Sequence, residues 1–502
     1  MKKIISGATI CDGSGGPLRQ GDVLIDGEMI ADIIAPGQDT AANVERIDGS
    51  GLMLAPGFID AHAHSEMGLL KHPENRTKLL QGVTTEVNGN CGFSPSCIPN
   101  EDGKHRWRSL ADYAALLDSL QSGVNSVALC GHNSVRAAVM GNDERTPTEA
   151  EMARMKTLLA AALADGAAGF STGLIYFPGK FSSTPELLEL ASLLRGTGKV
   201  YATHMRSEGD AIEAALEEAL AIASAASCRL QISHFKTSAK RNWGKLPALL
   251  ARIESARSSG REVFADRYPY VYSCTVLRQV LPPPYDRIPD IEHFLRESPE
   301  RQAEVASALA HSPRDVAATI LTEAAQRGRT IGELAAEQGK SLGQLCMELI
   351  MAAPGQNAAF RGMSEANLRE ILAQPWVCAG SDSVSLQLDD PNDFSHPRAA
   401  GTFPIFFQMV AATQGPAEAV RKMTSLPAAV FNIPRRGLIK PGFYADLVLF
   451  SPEHYLSHAD YAGNRQAPEG VRLVMVAGKT AWDARRPAEV ARHGRFIAIP
   501  AQ

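Results

Sequence analysis

Residues 52–64 read LMLAPGFIDAHAH: an apolar run broken at Pro56-Gly57, then Asp60, His62 and His64 at alternate positions. In an extended strand, residues two apart point the same way. Both imidazoles therefore leave one face at the C-terminal end of this strand. Seven further short apolar runs follow along the chain: VTTEVNGN (83–90), SVALCGHN (126–133), AAGFSTGL (167–174), VYATHMR (200–206), RLQISHFK (229–236), EVFADRYPY (262–270) and WVCAGSDS (376–383). Between most of them lie amphipathic stretches with helical spacing, such as residues 109–121, 147–166, 184–198 and 210–226. Two of these stretches begin at capping signals, Thr184-Pro185 and Asp210. Eight buried strands alternating with helices predict an α/β fold, a (β/α)8 TIM-type barrel.

The ends of the chain have a different texture. Residues 1–54 and 426–502 alternate short β-branched runs with turn signals, as in GDVLIDGEMIADI and GVRLVMVAGKTAWD. They predict one small β-sandwich-like domain built from both termini around a catalytic barrel at 55–425. The seventh strand ends near Tyr270 and the eighth starts near Trp376, roughly a hundred residues later, far beyond an ordinary connection. An insertion between barrel strands 7 and 8, centred on residues 282–353, is expected there, with the role of a lid over the active site.

Composition narrows the function. Fifty basic against 55 acidic residues leave a formal net charge of −5, which offers no electrostatic footprint for nucleic acid. No apolar run reaches the 18 or so residues of a membrane helix. The N-terminal MKKIISGATICDGSG reads as a first strand rather than a signal peptide. Eight cysteines without framework spacing read as reduced thiols, Cys97 among them. A soluble cytoplasmic enzyme with a small-molecule substrate is expected, with neither nucleic acid nor membrane as a partner.

Four other strand ends carry chemistry. Cys91 follows the second run, His204 and His234 close the fifth and sixth, and Asp382 follows the eighth. Each alone is ordinary: a buried thiol, a core imidazole, a helix-capping aspartate. Together with His62 and His64 they place imidazole, thiolate and carboxylate at the end of a barrel that carries active sites. Zinc accepts such a donor set with a position left for water, and a neighbouring carboxylate is then a natural general base. His132 and Tyr176 also lie just past strand ends and are candidates for substrate contact. His72, His105, His293, His311, His454, His458 and His493 have no such context and read as surface or structural.

PGFIDAHAH, GVTTEVNGNCGFSP, CGHNSVRAAVMG, GFSTGLIYFPG, DRYPY, GSDS, HPRAAGTFP and GLIKPGFYADLVLF resemble, in this order, the D-aminoacylases (N-acyl-D-amino-acid deacylases) of the amidohydrolase superfamily. The resemblance runs from about residue 4 to 480. Most members of that superfamily bridge two metals with a carbamylated lysine on strand 4, which GFST at 169–172 lacks; the D-aminoacylases use a strand-2 cysteine, matched by Cys91. The resemblance implies one tightly held Zn2+ on Cys91, His204 and His234, and a weaker second ion on His62, His64 and Asp382. It implies that Asp382 moves the proton, and that Arg398 and Tyr268 hold the α-carboxylate of an N-acyl-D-amino acid, whose amide is hydrolysed to a carboxylate and a free D-amino acid. Phe235 stands where family members often have histidine, and Lys236 beside it is a further candidate for facing substrate. An acidic and a hydrophobic substrate side chain are both compatible with the sequence; Lys236, Arg278 and Arg287 are the basic residues that would serve an acidic one. A D-aminopeptidase or dipeptidase is the nearest rival. A cyclic-amide hydrolase of the dihydroorotase or hydantoinase type is disfavoured by the missing strand-4 lysine and the presence of Cys91. A non-enzymatic scaffold is disfavoured because every ligand position is filled.

Overall fold

The computed structural model describes residues 2–38, 44–94, 100–101, 104–322, 326–388, 396–462 and 466–501. Eight strands follow one another in parallel: β1 (Phe58–Asp60), β2 (Val83–Asn88), β3 (Asn125–Ala128, resumed at Cys130–Gly131), β4 (Gly169–Gly173), β5 (Val200–His204), β6 (Arg229–Ile232), β7 (Val263–Arg267) and β8 (Val377–Ala379). These are short, nearly all-buried runs, as parallel strands covered on both faces must be. Backbone hydrogen bonds also join the two ends of the series. Ala61 N donates to Ala379 O (3.1 Å), Asp382 N to His62 O (2.8 Å) and His64 N to Ser383 O (2.9 Å).

The run at 52–64 serves two sheets. Met53–Pro56 pairs with Thr9–Ile10 and Leu447–Phe450 in a six-stranded mixed sheet made from both ends of the chain. The chain then crosses to β1 at Gly57, where a Cβ would stand 2.1 Å from the Thr84 hydroxyl. A second, four-stranded sheet of N-terminal strands packs its Ile5, Val23, Ile25 and Ile30 against Leu447, Leu449 and Met475.

Helices fill the connections at the expected places, with corrected starts. The helix Thr184–Ala191 is capped by Ser183, whose hydroxyl accepts from Glu186 N. Asp210 caps nothing: its carboxylate takes Arg241 at 2.7 Å, and the next helix runs from Ile212 to Ala226. An ion pair across the turn has displaced the cap. Between β7 and β8, the strands Tyr272–Val276, Ile320–Leu321 and Asn357–Arg361 form an antiparallel sheet, and helices pack Leu295, Val305, Cys346 and Ile350 with Phe360 into a separate apolar core. Among the described residues no helix is long and apolar enough to cross a membrane.

Under the strand ends lies a fully buried polar layer. Glu86 of β2 accepts from Asn75 Nδ2 (2.9 Å), Ser65 Oγ (3.1 Å) and Asn88 Nδ2 (3.3 Å). Burial pushes its carboxyl up to about 7, with nearby Lys78 acting in the opposite sense. A folded-state pKa above the ordinary 4.5 gives stability that is complete below pH 4.5 and lost as pH rises through 7. Glu86→Gln is therefore expected to gain on the wild type by up to about 3 kcal/mol between pH 4.5 and 8. Urea denaturation at both pH values checks this; an unchanged difference would place the Glu86 charge elsewhere.

Candidate metal centre

Each cluster residue sits on or just beyond the C-terminal end of a strand: His62 and His64 after β1, Cys91 after β2, His204 ending β5, His234 after β6 and Asp382 after β8. Their donor atoms converge. Cys91 Sγ lies 3.4 Å from His62 Nε2, 3.5 Å from His234 Nε2 and 3.6 Å from His204 Nδ1. His62 Nε2 is 3.3 Å from His64 Nε2, which is 3.1 Å from Asp382 Oδ1. Zinc bonds of about 2.0–2.1 Å to nitrogen and 2.3 Å to sulfur, at tetrahedral angles, separate neighbouring donors by about 3.3–3.6 Å. The donor set fits that spacing, and Cys91 touches both halves of it.

Three of these residues bend the backbone into the left-handed region, at φ 52° for Cys91, 38° for His234 and 51° for Asp382. Such conformations cost about 1–3 kcal/mol each and persist where surroundings enforce them. Asp382 is held by its amide on the His62 carbonyl (2.8 Å), and His234 by its amide on Asp266 Oδ1 (2.8 Å). Beside Cys91, a Cβ on Gly173 would stand 1.9 Å from the Cys91 carbonyl, so only glycine admits this approach.

Electrostatics favours the charged thiolate. Burial opposes ionisation of Cys91, but the fields of His62 and His234 and contacts from His204 and His234 hold its thiol well below the usual range. Burial equally opposes charge on Asp382, but Arg398, whose Nη1 lies 2.8 Å from Asp382 Oδ2, together with His234, His64 and His62 holds its carboxyl well below the usual range. Asp382 is thus an ionised carboxylate between an imidazole and a guanidinium.

Two carboxylates behind the cluster escape a reading of strand ends. Asp266 Oδ1 stands 3.1 Å from His62 Nδ1 while accepting from His234 N, and Oδ2 accepts from Gln231 Nε2 at 2.9 Å. Glu208 Oε1 lies 2.9 Å from His234 Nδ1, and Oε2 lies 3.7 Å from His204 Nε2. His204 and His234, which face Cys91 with one nitrogen, therefore face Glu208 with the other. Each acid has a sequence signal: an aspartate inside an apolar strand run, and a glutamate four residues past a strand-end histidine. His396 gives no such signal. It is buried, accepts from Arg398 N (3.1 Å) and meets Tyr461 OH (3.1 Å).

The substrate candidates divide. Arg398 opens the helix Arg398–Gln414, donates to Cys274 O (3.3 Å) and lies 4.8 Å over the Tyr268 ring. Among the described residues, Tyr268 OH and Arg398 Nε are buried without hydrogen-bond partners, which suits donors awaiting a ligand. The Tyr176 ring stands 5.1 Å from His204. Lys236 stands beside the cluster: its ammonium contacts Glu208 and lies 2.8 Å from His234 Nδ1. His132 Nε2 lies 2.8 Å from Glu186, which also takes Arg136 at 2.7 Å. Arg278 donates to the carbonyls of Pro289 and Ile288, and Arg287 pairs with Glu144. Cys97 lies outside the described residues.

A profile of the amidohydrolase family matches residues 45–279 and 295–481. The N-acyl-D-aspartate deacylase of Alcaligenes xylosoxydans xylosoxydans is 35% identical over 98% of this chain and 95% of its own. The crystal structure of an N-acyl-D-glutamate deacylase from Bordetella bronchiseptica, complexed with zinc and a phosphonate mimic of the tetrahedral intermediate, superposes with a TM-score of 0.83 at 32% identity, covering 99% of both chains. A D-aminoacylase structure described for its binuclear metal centre gives the same TM-score at 34% identity and 99% coverage of both chains.

If Asp266 orients His62 and the His234 backbone, Asp266→Asn will fold normally but bind zinc about 10–100-fold more weakly. Chelator competition measures this, and an affinity equal to wild type would remove Asp266 from that role.

Proposed function

This chain belongs to the amidohydrolase family, and on that premise we propose that it hydrolyses the amide bond of N-acyl-D-amino acids, releasing a carboxylate and a free D-amino acid. One observation carries the reading. Asp382 spans the donor cluster and the arginine that suits a free carboxylate, at 3.1 Å from His64 and 2.8 Å from Arg398. The nearly full-length relatives named for N-acyl-D-amino-acid deacylation support it. The hydrogen bonds between the ends of the strand series support closure into a (β/α)8 barrel, with the terminal sheets as a separate small domain and residues 282–353 as the inserted segment.

Cys91, His204 and His234 would hold the tighter zinc, and His62, His64 and Asp382 a weaker second ion. Zinc, when bound, supplies Lewis-acid chemistry that acidifies a water and polarises an acyl carbonyl. The chain's own residues do the rest. The Arg398 guanidinium holds the α-carboxylate by its planar fork, with Tyr268 OH as a second donor. That contact fixes the acyl carbonyl beside Asp382. Asp382, ionised at neutral pH, accepts at Oδ1 the proton of the attacking water as the new C–O bond forms. It returns this proton to the leaving nitrogen as the C–N bond breaks, so the amine departs neutral. The described cysteines are all free thiols, which supports a reducing, cytoplasmic setting.

Purified protein is expected to contain one or two zinc per chain and to release acetate from N-acetyl-D-amino acids but not from their L-enantiomers. Zinc without turnover of either enantiomer would sink this function and leave the metal centre standing. Asp382→Asn should lower kcat about 10²–10⁴-fold with the fold intact; near-normal turnover would remove Asp382 from proton transfer. Cys91→Ala should lose the tight zinc, and unchanged metal content would mean another residue holds it.

A further inference from the structure

Arg398 is the first residue of its helix, so the hold on its backbone depends on what precedes it. The first four amides of a helix have no partner within it. Pro397, at the cap position, offers no side-chain acceptor. His396 supplies two acceptors instead: its ring Nδ1 takes Arg398 N at 3.1 Å, and its carbonyl takes Ala399 N at 3.1 Å. A serine or asparagine could cap as well, but an imidazole has a second nitrogen to use. Burial, and the Arg398 guanidinium after it, hold this ring neutral against the field of Asp382. With Nδ1 an acceptor, the neutral ring carries its proton on Nε2, which faces Tyr461 OH at 3.1 Å.

Aromatic rings enclose the imidazole. Tyr270 stands 5.1 Å from it and Tyr461 4.9 Å, both edge-on, and Tyr270 OH donates to Pro397 O at 3.4 Å. Tyr461 comes from another part of the molecule. It lies in the connection between Leu447–Phe450 and Val471–Val476, two strands of the six-stranded sheet made from both ends of the chain. Its ring rests 4.7 Å from that of Tyr272, the first residue of the strand Tyr272–Val276. A Cβ on Gly328, between β7 and β8, would stand 2.9 Å from the Cα of Ala462. The terminal sheet, the segment between β7 and β8 and the Arg398 helix thus meet around one buried histidine.

We propose that His396 and Tyr461 are positioning residues for the hydrolysis, acting through Arg398: they fix the start of its helix so that the guanidinium is aimed at the substrate's α-carboxylate. The connection that carries Tyr461 then serves substrate binding although it belongs to the terminal sheet. The assignment rests on the deacylase reading above and adds what holds its carboxylate-binding arginine.

The test measures KM and kcat separately for the N-acetyl-D-amino acids that wild type hydrolyses, beginning with the leucine and glutamate derivatives. His396→Ala should raise KM about tenfold or more and change kcat less than about threefold, the mark of lost binding rather than lost chemistry. Tyr461→Phe, which removes one oxygen, should raise KM about threefold or more. His396→Asn, whose Oδ1 can still take Arg398 N, should recover most of the alanine variant's loss. Zinc content should equal that of wild type in all three. A merely structural role would lower the active fraction, and so kcat, with KM unchanged. Unchanged KM in either His396→Ala or Tyr461→Phe, or His396→Asn no better than alanine, overturns the assignment and leaves the deacylase standing. Tyr461→Phe decides even if His396→Ala does not fold. No release by wild type from any N-acetyl-D-amino acid overturns the deacylase reading, and this assignment with it.

Discussion

A lysine ammonium and an aspartate carboxylate, both wholly inaccessible to solvent, hold the two ends of the strand series together. Lys78 Nζ lies 2.6 Å from Asp60 Oδ2, 2.7 Å from Ser381 Oγ and 3.0 Å from Ser383 Oγ, so all three of its protons are used. Asp60 Oδ1 accepts from the amides of Ser381 (2.8 Å) and His62 (3.2 Å). A buried pair is tolerable only when its remaining donors and acceptors are satisfied, and losing one partner costs about 3–5 kcal/mol. This pair meets the condition, and its geometry has a consequence for chemistry. Ser381 and Ser383 flank Asp382 on either side. With both neighbours pinned, the backbone of Asp382 can be kept at φ 51° and its carboxylate aimed at His64.

The same economy operates around the thiolate. Cys91 needs an electropositive, dry surrounding to ionise, and receives it from imidazoles carried by three other strand ends. Those imidazoles need fixed orientations, which Asp266 and Glu208 provide from behind. Close approach comes from glycine. A Cβ on Gly380 would meet His62 Cβ at 2.8 Å and Asp266 Cβ at 2.9 Å, so β8 reaches the cluster only because no side chain stands there.

The strands and the six clustered residues were legible in the sequence because both rest on local rules: short continuous apolar runs, and polar residues at their ends. What stayed hidden depended on partners distant in the chain. Asp266 and Glu208 look like an interrupted strand and a solvated loop acid until the fold turns them toward His62, His204 and His234. His132 carries a strand-end signal that says nothing of Glu186, 54 residues away, which lies against its ring. The contact of Lys236 with Glu208 is equally hidden: its neighbours along the chain say nothing of that acid. Even the misplaced cap at Asp210 is a tertiary effect, since Arg241 outbids the amides of its own helix.

The clustered groups stand on strand ends tied by the buried layer beneath them, where any shift would disturb several of them at once. The inserted segment packs instead around an apolar core of its own, with Phe360 in it. It meets the cluster through the strand Tyr272–Val276, whose Cys274 carbonyl takes Arg398 and whose Thr275 hydroxyl meets Tyr176. Changes at sites without shared partners add rather than couple. A substitution within the insertion's core therefore leaves Cys91, Asp382 and the residues that orient them in place, whereas one beneath the strand ends reaches all of them.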